Sequence, residues 1–320
     1  MPKLRNESSK SRLLRNIRKQ RLKYITILPS LITLINGFCG FAAIGFASRV
    51  TADSVGEFSL NGMNVPYFAI AGYLILLAMI ADMLDGRVAR MSQSTSSFGG
   101  QLDSLCDMIS FGVAPAFLML KIVEFKMGSY EGINLFAAGV LKRWFWLAAL
   151  AYIACTAIRL ARFNVENEED ESAHMSFMGL PTPAAAGVIV SLVIFHQYML
   201  KNLASESSVF YPAFDNLIMF ALPAVTLGLG LLMVSRIRYP HVVNQYLKGK
   251  KPPAYLIKIL IFLGIILWNW QIALVLIFCG FALSGFLKWV FTRITTNKKF
   301  GEILKPAMNE EDNSSELTCE

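Results

Sequence analysis

DMLDGRVARMSQSTSSFGGQLDSLCD, residues Asp82 to Asp107, carries four aspartates and is flanked on both sides by long apolar runs. Asp82 and Asp85 are spaced i, i+3, and Asp103 and Asp107 are spaced i, i+4, so on helices each pair lies along one face. Asp82, Gly86 and Ala89 share a stripe with Asp85 beside it; Gly99, Asp103 and Asp107 share another. The polar run MSQSTSS between them is long enough to turn one helix back on the next. The two stripes can then face each other, and four carboxylates converge.

Carboxylates gathered in a low-dielectric setting repel unless cations neutralise them. Oxygen-only ligation favours hard divalent ions, Mg2+ or Mn2+. Aspartate clusters that hold two such ions commonly act on phosphates, whose oxygens the metals bridge. Gly86, Ala89 and Gly99 would leave the metal face open to a bulky ligand. Arg87 and Arg90 add positive charge suited to phosphate oxygens. The plainer reading, helix capping or pairing with Arg87 and Arg90, accounts for one or two of the aspartates but not for all four.

Moving outward, the chain of 320 residues is 55% hydrophobic and 16% charged, too apolar for a soluble domain of this size. It reads as an all-α integral membrane protein. Spans are expected at about Ile25–Ala47, Pro66–Arg90, Phe98–Val123, Trp144–Phe163, Thr182–Leu200 and Pro212–Val234, joined by polar loops that include Arg49–Val65, Glu124–Arg143 and the acidic Val165–His174. Pro181 and Pro183 forbid a regular helix just before the fifth. Two further stretches, about Ala254–Trp268 and Ile272–Thr292, form a C-terminal hairpin, giving about eight spans. The organisation expected is a basic segment over residues 1–23, a transmembrane core over 24–240, the added hairpin over 252–293 and a polar tail over 294–320.

The net charge is +8, and nine of the 30 Lys and Arg precede Tyr24. Other basic groups lie in Arg236–Lys251 and after Lys288. Such clusters mark cytoplasmic loops and anionic headgroups; with no soluble domain to present a patch, nucleic-acid binding is not expected. RLLRNIRKQRLK is expected to form an amphipathic helix on the membrane surface, with Leu13, Ile17 and Tyr24 on one face. The long apolar run after it, without a clear cleavage site, argues against a cleaved signal peptide. With a cytoplasmic N-terminus, eight spans put both termini and the aspartates on the cytoplasmic side of the cell's inner or plasma membrane. Cys39, Cys106, Cys155, Cys279 and Cys319 show no metal-ligand spacing and read as reduced.

The aspartate stretch fits D-x2-D-G-x2-A-R-x8-G-x3-D-x3-D at every specified position, and in this it resembles the CDP-alcohol phosphotransferase family. SFGVAP (Ser110–Pro115), RLARFN (Arg159–Asn164), GLPTPAAAG (Gly179–Gly187) and LMVSRIRYP (Leu232–Pro240) are similar to the phosphatidylserine synthase branch. The resemblance implies a six-helix core, a homodimer and a transferase that joins CDP-diacylglycerol to L-serine in the membrane lipid, releasing CMP. It implies that Asp82, Asp85 and Asp103 hold two divalent cations, Mn2+ or Mg2+, and that Asp107 combines metal contact with the role of base. It implies that Gly86, Ala89, Arg90 and Gly99 lie against the nucleotide and phosphates, and, on looser matches, that Ser30, Thr33 and Ser96 do too. Arg159 and Arg162, near the same membrane face, are candidates for the serine carboxylate on charge and position; both would also serve as positive-inside anchors. Three alternatives stay open: another acceptor (glycerol phosphate, inositol phosphate or choline), an intramembrane prenyltransferase, and a cation transporter.

Overall fold

The computed structural model describes residues 30–50, 56–60, 63–92, 97–128, 135–169, 179–203, 210–237, 239 and 269–292. They are mostly helical: α1 (Ser30–Ala47), α2 (Tyr67–Ser92), α3 (Ser97–Asp107), a π-helical segment (Met108–Val113) leading directly into α4 (Ala114–Gly128), α5 (Leu135–Glu169), α6 (Thr182–Leu203), α7 (Phe210–Val234) and α8 (Trp270–Thr292). Among the described residues, five stretches are long and apolar enough to cross a membrane: Ser30–Ala47, Tyr67–Val88, Phe98–Gly128, Phe136–Val165 and Trp270–Thr292. Shorter apolar helices cover Thr182–Tyr198 and Phe220–Val234. This is the build of a polytopic membrane protein, whose spans are helices because a helix pairs most of its own backbone polar groups away from water. The basic segment 1–23, Ser94–Ser96, the span Ala254–Trp268 and the tail lie outside the described residues.

Three expectations need correction. The polar loop Arg49–Val65 contains an antiparallel hairpin, β1 (Glu57–Leu60) and β2 (Met63–Pro66), in the register Glu57 to Pro66 and Leu60 to Met63. The two residues between its strands are Asn61 and Gly62, the dipeptide that favours a tight hairpin. The loop Glu124–Arg143 is largely helix, because α4 runs on to Gly128 and α5 starts at Leu135. The acidic loop after Phe163 begins as helix, with α5 continuing to Glu169. Hydropathy marks where lipid ends, but glutamate is a good helix former, so a helix can outrun its apolar part.

The core is built by close approach of small residues. A Cβ on Gly72 of α2 would stand 2.9 Å from Ile194 Cγ1 of α6. One on Gly40 of α1 would stand 2.6 Å from the Ser110 Cα in the π segment. α5 packs along α7, and α6 lies against α2 and α7. Gly179 adopts φ +84, open to glycine without strain. Its N–H donates to the Ile237 carbonyl at 2.9 Å, and the Leu180 N–H donates to the Leu232 carbonyl at 3.1 Å. These bonds tie the entry of α6 to the exit of α7. Pro183 then falls in the first turn of α6, where a missing N–H costs nothing.

The π segment has a local cause. Pro115 has no N–H to offer the Phe111 carbonyl four residues back. The widened turn bonds the Ala114 N–H to the Ile109 carbonyl instead. The Phe111 carbonyl is served by the fully buried Tyr152 hydroxyl from α5 at 2.9 Å. The helix bearing Asp103 and Asp107 is therefore pinned to α5 immediately after its last aspartate.

Candidate active site

The last turns of α2 carry Asp82 and Asp85, and α3 carries Asp103 and Asp107. Carboxylate oxygens of Asp82, Asp85 and Asp103 all lie within 4.8 Å of one another. Asp85 is buried, and its carboxylate accepts hydrogen bonds from the Thr33 side chain of α1 and from the Gly86 backbone. Its Oδ2 atom is nevertheless buried without a partner among the described residues, and so is Oδ1 of Asp103. Two charged carboxylates at that separation repel by roughly 3 kcal/mol at an effective dielectric of about 20. Converging oxygens with unfilled lone pairs are what hard divalent cations require, so the three aspartates suit such ions. Among the described residues, no atom beyond Gly86's own helix backbone and chain neighbours lies within 4 Å of where its Cβ would stand, so this face of α2 is open there.

Asp107 is set apart from the triad. It is buried, and its Oδ1 accepts from the Asn36 Nδ2 of α1 at 2.8 Å. Residue spacing alone expects four carboxylates to converge, with the base role of Asp107 implied by the family resemblance; the structure gathers three into mutual ligand distance and places the fourth one helical turn on, against an amide. Asn36 is presented by close contact between α1 and the helix opposite. Its own carbonyl accepts from the Ser110 hydroxyl at 2.8 Å. A Cβ on Gly37 would stand 3.0 Å from the Cys106 sulfur.

Most of the remaining candidates lie on α1, α2, α3 and α5. Arg159 of α5 donates from Nη1 to the Thr182 hydroxyl at 3.2 Å, interacts electrostatically with Asp107, and has a buried Nε without a partner among the described residues. Arg162 lies on the same helix, half-buried. Thr33 is buried against Asp85, while Ser30 starts the described part of α1, half-buried. Gly99 lies in the first turn of α3. Ala89 and Arg90 belong to the last turns of α2, their side chains outside the described residues, as is the whole of Ser96.

Three residues at this centre were not assigned a role from sequence. Asn36 had one signal, a polar side chain inside an apolar span. Asn164 closes RLARFN and accepts from the Ser104 hydroxyl at 3.0 Å, joining α5 to the helix of Asp103. Thr182 lies between two prolines and reaches Arg159, a contact between α6 and α5 that no local pattern contains.

Comparison with known proteins agrees with this geometry. The family model for the CDP-alcohol phosphatidyltransferase matches residues 26–228, which include every residue of the aspartate stretch. The chain is similar to a CDP-diacylglycerol–serine O-phosphatidyltransferase of Helicobacter pylori, at 31% identity over 268 residues, covering 84% of this chain and 93% of that protein. A protein of the same name from Methanocaldococcus jannaschii is 31% identical over 173 residues, 54% of this chain and 64% of the relative. Another from Saccharomyces cerevisiae is 36% identical over 166 residues, 50% of this chain and 51% of the relative. On these matches the chain belongs to the CDP-alcohol phosphatidyltransferase family, a family of transferases.

Proposed function

We propose that this protein transfers the phosphatidyl group of CDP-diacylglycerol to the hydroxyl of L-serine, with release of CMP. The observation that carries this reading is the Asp82–Asp85–Asp103 triad, with its unpartnered oxygens, standing beside a separately held Asp107 in a bundle of membrane helices. The name and near-complete coverage of the Helicobacter relative support serine as acceptor.

Asp82, Asp85 and Asp103 would hold two divalent cations, Mg2+ or Mn2+. Bound there, the cations would neutralise the pyrophosphate and the charge that develops on CMP. The open surface at Gly86, with Ala89, Arg90 and Gly99, would receive the nucleotide, together with Ser30 and Thr33 of α1 and with Ser96. Asp107 takes the proton of the serine hydroxyl as its oxygen attacks the phosphorus that carries diacylglycerol. The bond from that phosphorus to the bridging oxygen breaks, and the electron pair leaves with CMP. Arg159 is the first candidate for the serine carboxylate, supported by its electrostatic interaction with Asp107 and by a buried Nε without a partner among the described residues. Arg162 is the second. A phosphorylated acceptor would call for a further basic pocket, so glycerol phosphate and inositol phosphate are the weaker reading.

The proposal includes an eight-span protein of the inner or plasma membrane, with a six-helix core over 24–240, an added hairpin over 252–293, an interfacial basic helix at its start, cytoplasmic termini and a cytoplasmic site. A homodimer is part of it. The test is CMP release by purified protein with CDP-diacylglycerol and Mn2+, supplying L-serine, glycerol 3-phosphate, inositol phosphate or choline in turn. Release with serine alone is expected. Release with a different acceptor would refute the substrate, and no release with any acceptor would refute the transferase reading.

A further inference from the structure

Asn36 is completely buried in α1, yet only half of its amide is used. A carboxylate without its proton only accepts, so the NH2 end must face Asp107, as the 2.8 Å Nδ2–Oδ1 bond has it. The other end, Oδ1, is buried with no donor among the described residues. An unmet buried acceptor is costly, and a side chain this firmly seated cannot swing out to satisfy it. Its backbone is pinned by the Ser110 hydroxyl, and its neighbours Gly37 and Gly40 are pressed onto Cys106 and Ser110. Arg159, on another helix, interacts electrostatically with Asp107 and has a buried donor, Nε, unmet among the described residues. Among the described residues, an unmet acceptor on the residue that holds Asp107 and an unmet donor on an arginine that feels its charge thus accompany the carboxylate cast as base.

We propose that Asn36 reads the ammonium group of the acceptor: its amide nitrogen holds Asp107, and its amide oxygen accepts from an ammonium on the carbon next to the reacting hydroxyl. This deepens the serine reading above and rests on it. The amide oxygen and nitrogen share one carbon, so the acceptor for the ammonium lies beside the acceptor for the hydroxyl proton. That spacing matches a vicinal amino alcohol, in which the two groups sit on adjacent carbons. Arg159 then completes recognition of an amino acid by taking its carboxylate. An acceptor without an ammonium leaves Oδ1 unpaired in the complex, and sites built around a hydrogen bond discriminate strongly against ligands that lack it. Asn36 is in this account a binding and positioning residue, and Asp107 remains the base.

The experiment compares L-serine with 3-hydroxypropanoate, which keeps the hydroxyl and carboxylate but lacks the ammonium. It uses the full chain, CDP-diacylglycerol and Mn2+, in wild type, Asn36→Leu and Asn36→Asp. Wild type is expected to prefer serine by at least about 100-fold in kcat/KM. Asn36→Leu should reduce that preference to below about tenfold, mainly through a higher serine KM. Asn36→Asp keeps an acceptor for the ammonium but sets a second carboxylate against Asp107, so the two share a proton and Asp107 becomes a poorer base; serine KM should stay within about threefold while kcat falls. Independently of turnover, L-serine should raise the thermal midpoint of wild type and Asn36→Asp but not of Asn36→Leu. A folded Asn36→Leu with an undiminished serine preference would overturn the inference, as would a wild type that uses both acceptors equally. If Asn36→Leu does not fold, the wild-type preference and the Asn36→Asp split decide. A wild type active only with an acceptor that has no amine would refute the serine reading itself, a result distinct from either.

Discussion

Asp103 and Asp107 are one helical turn apart on α3, and their surroundings assign them different work. Asp103 contributes an unpartnered oxygen to the triad, whereas Asp107 is clasped by Asn36. Asp103→Asn and Asp107→Asn should therefore fail in different ways. Both should lose CMP release, Asp107→Asn by about 100- to 10,000-fold, the usual contribution of a positioned base. Mn2+ should still raise the thermal midpoint of Asp107→Asn, while Asp103→Asn should lose most of that rise. Equal loss of the Mn2+ effect in both would return Asp107 to the ligand set. Gly86 supports a second test. Among the described residues nothing occupies the space that a Cβ would take, so Gly86→Ala should melt at or above the wild-type temperature. Its KM for CDP-diacylglycerol should rise if that space receives the nucleotide; an unchanged KM would show that the nucleotide lies elsewhere. The four aspartates were legible from sequence because their spacing is local to two helices. The amide that holds Asp107 was not, because Asn36 lies 71 residues from Asp107 and reaches it only through tertiary packing.

The junction between α3 and α4 shows how one residue type reshapes an element. Pro115 removes a donor, the turn widens over Met108–Val113, and Tyr152 fills the vacancy from α5. Tyr152→Phe should cost about 1–3 kcal/mol, the usual penalty for a buried carbonyl left unpaired. Pro115→Ala returns an N–H to the helix, so Tyr152→Phe should cost less in that background. Thermal or denaturant unfolding of the four proteins in a double-mutant cycle measures this; strictly additive losses would show that the two residues act independently. Gly40→Val belongs to the same scale. Its side chain would meet the Ser110 backbone rather than a flexible tip, so α1 must move away from the π segment. Lower stability and weaker activity together are expected, because Asn36 and Thr33 ride on α1. The SFGVAP segment was visible as a motif, but a regular helix was expected through it. Hydropathy has no term for a missing donor.

For the molecule as a whole, the balance of forces turns on charge held among apolar helices. Removing divalent cations with EDTA leaves the triad of carboxylates within 4.8 Å without counter-ions. The thermal midpoint should fall on EDTA treatment and recover with Mn2+ or Mg2+, by an amount that grows with cation concentration as linkage requires. A midpoint indifferent to EDTA would argue against metal at this site. Orientation is testable by reporter fusions at the hairpin Glu57–Pro66 and after Thr292: the proposed topology expects the first outside and the second cytoplasmic.

Sequence alone determined that the chain is helical and apolar, that one aspartate pair closes α2 and the other lies on α3, and that polar phosphate chemistry belongs there. These follow from properties that neighbours in sequence carry: hydropathy over a span, residue spacing on a face, and prolines that interrupt a helix. Only the tertiary structure decided which carboxylates share a centre, that Asn36 and Thr33 of α1 attend them, and that Arg159 meets Thr182 beside Asp107. Those contacts depend on how closely helices approach, and the approach is fixed by small residues such as Gly37, Gly40 and Gly72, whose packing partners lie on distant helices.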